Sequence, residues 1–113
     1  MKNINSLKNY RDFGKVYNHR KSFADKYLVM YVADNLTACS RIGISVSKKV
    51  GNSVVRHRTV RLIREVCRLH EEEFAGGYDI VFVARVRAKG ISYFRMEHAL
   101  MQLAAKAGIL KEK

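Results

Sequence analysis

Five arginines, Arg56, Arg58, Arg61, Arg64 and Arg68, fall within thirteen positions, and no acidic residue stands between Asp34 and Glu65. Guanidinium groups at this density do one kind of chemistry well: their planar forks hold phosphate oxygens in pairs. At such spacing they repel one another with little help from salt screening, so a polyanion that neutralises them is the natural partner. Wound as a helix at about 100° per residue, Val55, Thr59, Leu62, Ile63, Val66 and Leu69 gather on one side. His57, Arg61, Arg64 and Arg68 gather on nearly the opposite side, with Arg58 at its flank. One face is expected to pack into a core and the other to present a line of cations.

Candidates for catalysis on the protein itself are few. His19, His57, His70 and His98 lie apart, and none begins a His-x-x-x-His ligand spacing. Lys15 with His19 on one helix face comes nearest to a general acid and base pair for RNA cleavage. The acidic run Glu71-Glu72-Glu73 has no evident partner, so a self-sufficient metal nuclease is not expected. Cys39 and Cys67 lack the paired spacing of metal or redox motifs and read as small buried hydrophobes. The sequence therefore assigns no catalytic residue, and it does not identify a metal site.

With 113 residues, 48% of them apolar, the chain is expected to form a single domain, 1–113, around a real core. The net charge of +12 then sits on a folded surface and speaks to partners. No apolar run approaches the roughly 18 residues that span a bilayer, and no bulky apolar residues flank the arginines for membrane insertion. The first residues have no apolar segment of signal-peptide length, so a cytoplasmic location is expected. Nucleic acid fits these features better than a membrane or an obligate protein partner.

These cations need elements to hold them. Phe13, Val16 and Tyr17, led by Leu7 and Tyr10 and surrounded by Lys8, Arg11, Lys15 and Arg20, predict a short basic helix that starts near Ser6 or Asn9. Extended chain follows over 21–33, and a turn at Asp34-Asn35 leads to a strand over 40–47. These two are expected to pair antiparallel. Ile42, Ile44 and Val46 would face a core, whereas Arg41, Gly43, Ser45 and Ser47 would line an open face. A basic loop with Lys48 and Lys49 leads to Ser53 as N-cap of the arginine helix, which should run to about His70. Beyond Gly76-Gly77, residues 78–85 read as a buried strand. A last helix is predicted from the cap Ser92 to Ala107, closed by Gly108, with Phe94, Met101, Leu100, Leu103 and Ala104 as its core side. The fold class is α+β: a two-layer sandwich of a roughly four-stranded mixed sheet and three helices, ordered α-β-β-β-α-β-α. The unit over 40–85 is long enough for a parallel crossover.

Aromatic residues on the first helix and the neighbouring strand offer a second kind of contact. Phe13 and Tyr17, with Tyr31 and Tyr27, would frame a groove in which bases stack, at about 1–3 kcal/mol per base. Core packing is an equal role for Phe13 and the favoured one for Tyr27. Lys48 and Lys49 would stand at the mouth of the open face as phosphate contacts.

The stretch Arg41-Ile-Gly-Ile-Ser-Val-Ser-Lys-Lys-Val-Gly-Asn-Ser-Val-Val-Arg-His-Arg-Thr-Val-Arg-Leu-Ile-Arg-Glu65 resembles the signature region of the bacterial ribonuclease P protein subunit. That pattern is a strand, Ser-Lys-Lys, Gly-Asn and a helix centred on Arg-Asn-Arg. Asp12-Phe-Gly-Lys-Val-Tyr-Asn-His-Arg-Lys-Ser22 is similar to the family's first helix and following turn, Leu28-Val-Met-Tyr31 to its long strand, and the segment 78–85 to its last. The resemblance implies a small basic protein that joins a catalytic RNA, which removes the 5′ leader of precursor tRNA with Mg²⁺ while the protein itself does no chemistry. It implies catalytic-RNA contacts at Lys48, Lys49, Arg56, His57, Arg58, Arg61, Arg64 and Arg68, and leader contacts at Phe13, Tyr17, Ser22, Val29 and Tyr31. It also implies a left-handed strand-helix-strand crossover, against a general rule that favours the right-handed form in about 98% of cases.

The chain departs from the family pattern at two positions. His57 stands where Asn is usual, replacing an amide that both donates and accepts, and Val60 stands where Lys is frequent. Two other functions would use the same arginine stripe: a general structured-RNA binder of ribosomal or chaperone type, and a helix-turn-helix DNA binder. The second is disfavoured because a strand and a glycine loop precede the arginine helix where a short first helix should stand.

Overall fold

The computed structural model describes residues 4–7, 9–19 and 21–111. Lys8, Arg20 and the side chain of Tyr10, assigned above to the first helix and its surround, lie outside that description. Strands β1 (Ile4–Ser6), β2 (Ser22–Ala24), β3 (Leu28–Asp34), β4 (Ser40–Val46) and β5 (Tyr78–Ala84) form one mixed sheet in the order β1-β4-β5-β3-β2. Helices α1 (Tyr10–Asn18), α2 (Ser53–Leu69) and α3 (Tyr93–Ala107) pack on it. From α1 onwards the element order is the one expected, and the three-residue β1 adds a fifth strand at the β4 edge.

The expected pairing of β3 with β4 does not occur. β5 lies between them, antiparallel to β3 and parallel to β4. The reason is in the composition of β5: Ile80, Val81 and Phe82 are all fully buried, and a strand apolar on both faces belongs in the middle of a sheet. The β3–β4 connection is accordingly no tight hairpin. The Asn35 side chain donates to the Cys39 carbonyl and to Asp79 on β5, both at 2.9 Å. The β4–α2–β5 unit is the predicted parallel crossover.

The main core lies between one sheet face and the pair α2 and α3. It joins Leu28, Met30 and Val32 of β3 and Ile80 and Phe82 of β5 to Ile63 and Val66 of α2 and Met96, Leu100 and Leu103 of α3. On the other face α1 packs Val16, Phe13 and Tyr17 against Leu7, Ala33 and Val81. The sheet face expected to be open is thus open only beyond α1.

Helix ends follow local chemistry. Asn9 and Asn52 cap α1 and α2, accepting from the backbone N–H of Asp12 at 2.9 Å and of Val55 at 3.0 Å. The cap of α2 is therefore Asn52 and not Ser53, because an Asn side chain one residue earlier reaches the same orphan donors. Ser92 caps α3 as expected, and Gly108 closes it in the left-handed region at φ 72°. Two expected core residues are exposed: Leu69 at 54% and Phe94 at 78%. On α2 the buried stripe is turned toward Cys67, since the helix is held between β4 and α3. On α3 Met96 and Ala99 take the inward positions, and Phe94, two residues before Met96, points about 200° away from it.

Candidate nucleic-acid interface

The turn of α2 decides what its arginines do. His57, Arg58, Arg61, Arg64 and Arg68 are all exposed. Arg58 donates from Nη1 to the Ile91 carbonyl at 3.3 Å, and Arg68 is paired with Glu65 across one helical turn. Arg58, Arg61 and Arg64 form no salt bridge among the described residues, because the carboxylates of Asp12, Asp79, Glu65, Glu73 and Glu97 are engaged elsewhere. Arg56 differs: it is half-buried, and its Nε has no hydrogen-bond partner among the described residues. Lys48 and Lys49 are exposed in the loop that leads from β4 into α2, so they continue the same cationic surface. Cys67 lies beneath it, and burial pushes its thiol up to about 12 despite the nearby Arg64 charge, so it is inert packing. Cys39 is only half-buried, in the β3–β4 connection.

The second surface is built from the strand register. Ser22, Tyr31, Val81 and Gly43 form one row across β2, β3, β5 and β4 on the α1 face, and Ala24, Val29, Val83 and Ser45 form the next. Helix α1 lies over the first row and leaves the second as the floor of a cleft. Tyr17 stands at its wall, edge-on to Tyr31 with ring centroids 4.8 Å apart, and Phe13 lies 6.5 Å from Tyr17. Burial raises the Tyr17 phenol above its ordinary range, opposed by a hydrogen bond with Ser45 and aided by Tyr31, so it stays protonated. All three rings are half-buried. Each therefore gives one side to packing and one to solvent, as anticipated for Phe13.

The five residues expected at the leader lie on α1 or on the two strand rows of the sheet face that α1 packs on. Tyr27 is elsewhere: its ring packs at the edge of the main core, its hydroxyl accepts from Arg95 at 3.1 Å, and Lys26 sits 5.2 Å from the ring centre. Sequence reasoning missed Val83 and Ser45, which share the floor with Val29. Ser45 was placed on the right face by alternation, but its neighbours depend on the strand order. Lys15 and His19 are exposed on α1.

The cleft is anchored by charge. Arg41 donates from Nε and Nη2 to the two oxygens of Asp79, at 2.9 and 2.6 Å, and from Nη1 to Asp12 of α1 at 3.3 Å. Asp79 is 6% exposed. Burial pushes its carboxyl upward, but hydrogen bonds from Arg41 and Asn35 outweigh that and hold it below the ordinary carboxylate range. Among the described residues no three His, Cys, Asp or Glu side chains converge as a metal cage requires.

Residues 1–108 match the family profile described as Ribonuclease P. The chain is 60% identical over 99 residues to the ribonuclease P protein component of Lachnoclostridium phytofermentans, a match that spans 88% of this chain and 85% of that one. The chain belongs to the ribonuclease P protein family. A second family member, the ribonuclease P protein component of Clostridioides difficile, is 48% identical over 104 residues, 91% of each chain. Among solved structures, the Staphylococcus aureus RNase P protein matches with TM-score 0.86 at 32% identity, covering 94% of this chain and 97% of that one. The RNase P protein of Thermotoga maritima matches with TM-score 0.83 at 27% identity, over 89% and 96%.

Membership makes this chain a component of an endoribonuclease ribonucleoprotein and implies association with a ribonuclease P RNA. It favours that role over the general RNA-binding reading. No helix among the described residues is long and apolar enough to cross a membrane.

Proposed function

We propose that this ribonuclease P protein divides its two surfaces between two RNAs. The exposed face of α2, with Lys48 and Lys49, docks on the catalytic RNA: Arg58, Arg61 and Arg64 bind phosphates as free cations, and the unpartnered Nε of Arg56 finds its acceptor there. The cleft formed by Phe13, Tyr17, Ser22, Val29 and Tyr31, with Val83 and Ser45, holds the single-stranded 5′ leader of precursor tRNA. Half-buried aromatic rings over a floor of small side chains suit stacked bases. The RNA subunit performs the cleavage, in the cytoplasm, and Mg²⁺ works within that RNA; no step is placed on a metal held by this chain. The observation that carries the division is the contrast in charge: among the described residues Arg58, Arg61 and Arg64 of α2 form no salt bridge, while Arg41 beside α1 is held by two carboxylates.

Cleavage of a precursor tRNA at low Mg²⁺ by a bacterial ribonuclease P RNA, with and without this protein, tests the reading. Stimulation is expected, with precursor bound more tightly than mature tRNA. Arg61→Ala should weaken docking on the catalytic RNA and reduce its salt slope by about 1. Tyr31→Ala should lower precursor affinity about tenfold, the loss of one stacked base, and leave docking and its salt slope unchanged. Equal affinity for unrelated structured RNAs, with no stimulation, would return the chain to the general RNA binders.

A further inference from the structure

Helix α1 meets β4 at three successive residues of one strand face. Asp12 reaches Arg41 at 3.3 Å, the Phe13 ring covers Gly43, and the Tyr17 phenol comes within electrostatic reach of Ser45. Alternate residues of a strand repeat every 6–7 Å or so, and four residues of helix, from Phe13 to Tyr17, rise about the same distance. The helix is thus set in register with the strand. At the middle contact there is no room to spare: a Cβ on Gly43 would stand 2.5 Å from Cζ of Phe13 and 2.6 Å from its Cε1. Gly43 has no positive φ to call for glycine, so space alone requires it, at the cost a strand interior charges for glycine.

We propose that Gly43 is a positioning residue for leader binding: by letting Phe13 descend onto the sheet it fixes the height of α1, and with it the opening between Tyr17 and the floor of Val29, Val83 and Ser45. This rests on the leader reading given above. Arg41 and Ser45 hold the same helix at either end, so α1 is located along the strand by its ends and above the sheet by its middle. Any side chain at 43 lifts Phe13 and moves Tyr17 relative to Tyr31, while α2, on the opposite face of the sheet, is untouched.

The test is a double-mutant cycle in the holoenzyme reconstituted with a bacterial ribonuclease P RNA. Gly43→Ala is expected to lower affinity for leader-bearing precursor about tenfold, on the order of one lost base stack, with catalytic-RNA docking and mature-tRNA binding unchanged. Phe13→Leu removes the two ring atoms that the new methyl would meet and leaves only Leu7 Cβ at 3.2 Å, so in that background Gly43→Ala should cost much less. An equal cost in both backgrounds overturns the proposal, as does unchanged leader affinity in Gly43→Ala when Tyr31→Ala still lowers it. If Tyr31→Ala also has no effect, the leader reading itself falls and takes this proposal with it. Asp12→Asn frees the end of the helix without adding bulk and should cost about threefold in leader affinity, the scale of a partly exposed ion pair. If Gly43→Ala does not fold, the absence of any such loss in Asp12→Asn overturns the proposal.

Discussion

The two surfaces proposed to meet RNA, the α2 face and the cleft beside α1, treat charge in opposite ways. Along α2, Arg58, Arg61 and Arg64 stand in solvent without salt bridges among the described residues, on a helix whose first turn has no acidic residue. Beside α1, Arg41 is half-buried and tied to Asp79 and Asp12, and what faces the cleft is aromatic, apolar or hydroxyl. The difference teaches what each surface can recognise. Unpaired guanidiniums gain from phosphate by releasing counterions, so their contribution falls steeply with salt. Rings that already share a packing face give up little entropy when a base stacks on them, and that gain is nearly blind to salt. Under the proposed division, the first surface holds a folded RNA by its backbone and the second reads a flexible strand by its bases.

Removing the anchor of the cleft should break the comparison most strongly. Asp79→Ala leaves Arg41 facing Asp12 alone and strips a buried carboxylate of its role, and breaking a buried pair costs 3–5 kcal/mol in general. Arg41 keeps 35% of its side-chain surface, so water recovers part of that, and a loss of about 2 kcal/mol is expected in urea denaturation. The pH dependence carries a sign. A carboxyl held below its ordinary range binds fewer protons folded than unfolded, so its stabilisation is present above about pH 4 and disappears as pH falls through the folded value. Wild type should lose more stability along that acid limb than Asp79→Ala, in which Glu65 and Glu97 are the carboxyls still held below their ordinary range. Identical acid limbs would show that the cleft is not held by this pair.

The far end of the arginine helix is held by a different device, and it sharpens the contrast. His70 ends α2 with both ring nitrogens engaged, Nε2 with Glu97 of α3 at 2.7 Å and Nδ1 with Glu73. Glu97 chiefly, and Glu73 after it, raise the imidazole above its usual value against the opposing effect of burial. The sign is therefore the reverse of Asp79: the stabilisation is complete below about pH 6.5 and is lost as pH rises through the folded value. The groups are largely solvent-screened, so His70→Gln should cost under about 1 kcal/mol at pH 6. The gap from wild type should close toward pH 9 in thermal melts. Leader affinity should not move; if it did, the two surfaces would be coupled through α3.

How much of this was legible in the sequence follows from how local each feature is. The arginine face, the caps Asn9 and Ser92 and the closing Gly108 depend on neighbours within four residues, and periodicity finds them. The cap of α2 was misplaced by one residue because Asn52 and Ser53 can both cap, and only the backbone decides between them. The strand order could not be read from β3 and β4 alone, because the intervening strand arrives 32 residues after β4 ends. Its unbroken apolar run was the available signal for a central position. The same gap hid Val83 and Asp79, whose roles exist only once β5 lies between the other two. Phe94 was placed inside because an aromatic at helical spacing looks like core, whereas the first turn of α3 turns Met96 inward and leaves Phe94, two residues earlier, on the opposite side.

The smallest effect should come from the arginine that breaks the pattern of its own surface. Arg68 belongs to the line by periodicity, but Glu65 one turn earlier already accepts from both its Nε and Nη2. An exposed pair of this kind adds little to a helix, but to bind phosphate Arg68 must give it up while Glu65 repels the incoming anion. Arg68→Ala is therefore expected to reduce the salt slope of docking on the catalytic RNA by less than half of what Arg61→Ala removes. Glu65→Gln should raise that contribution, because it frees the guanidinium and removes the repulsion. A loss in Arg68→Ala as large as in Arg61→Ala would mean that the ion pair opens at no cost when RNA arrives. Carboxylate pairing, in that event, would not be what separates the two surfaces, and exposure alone would account for which arginines meet the RNA.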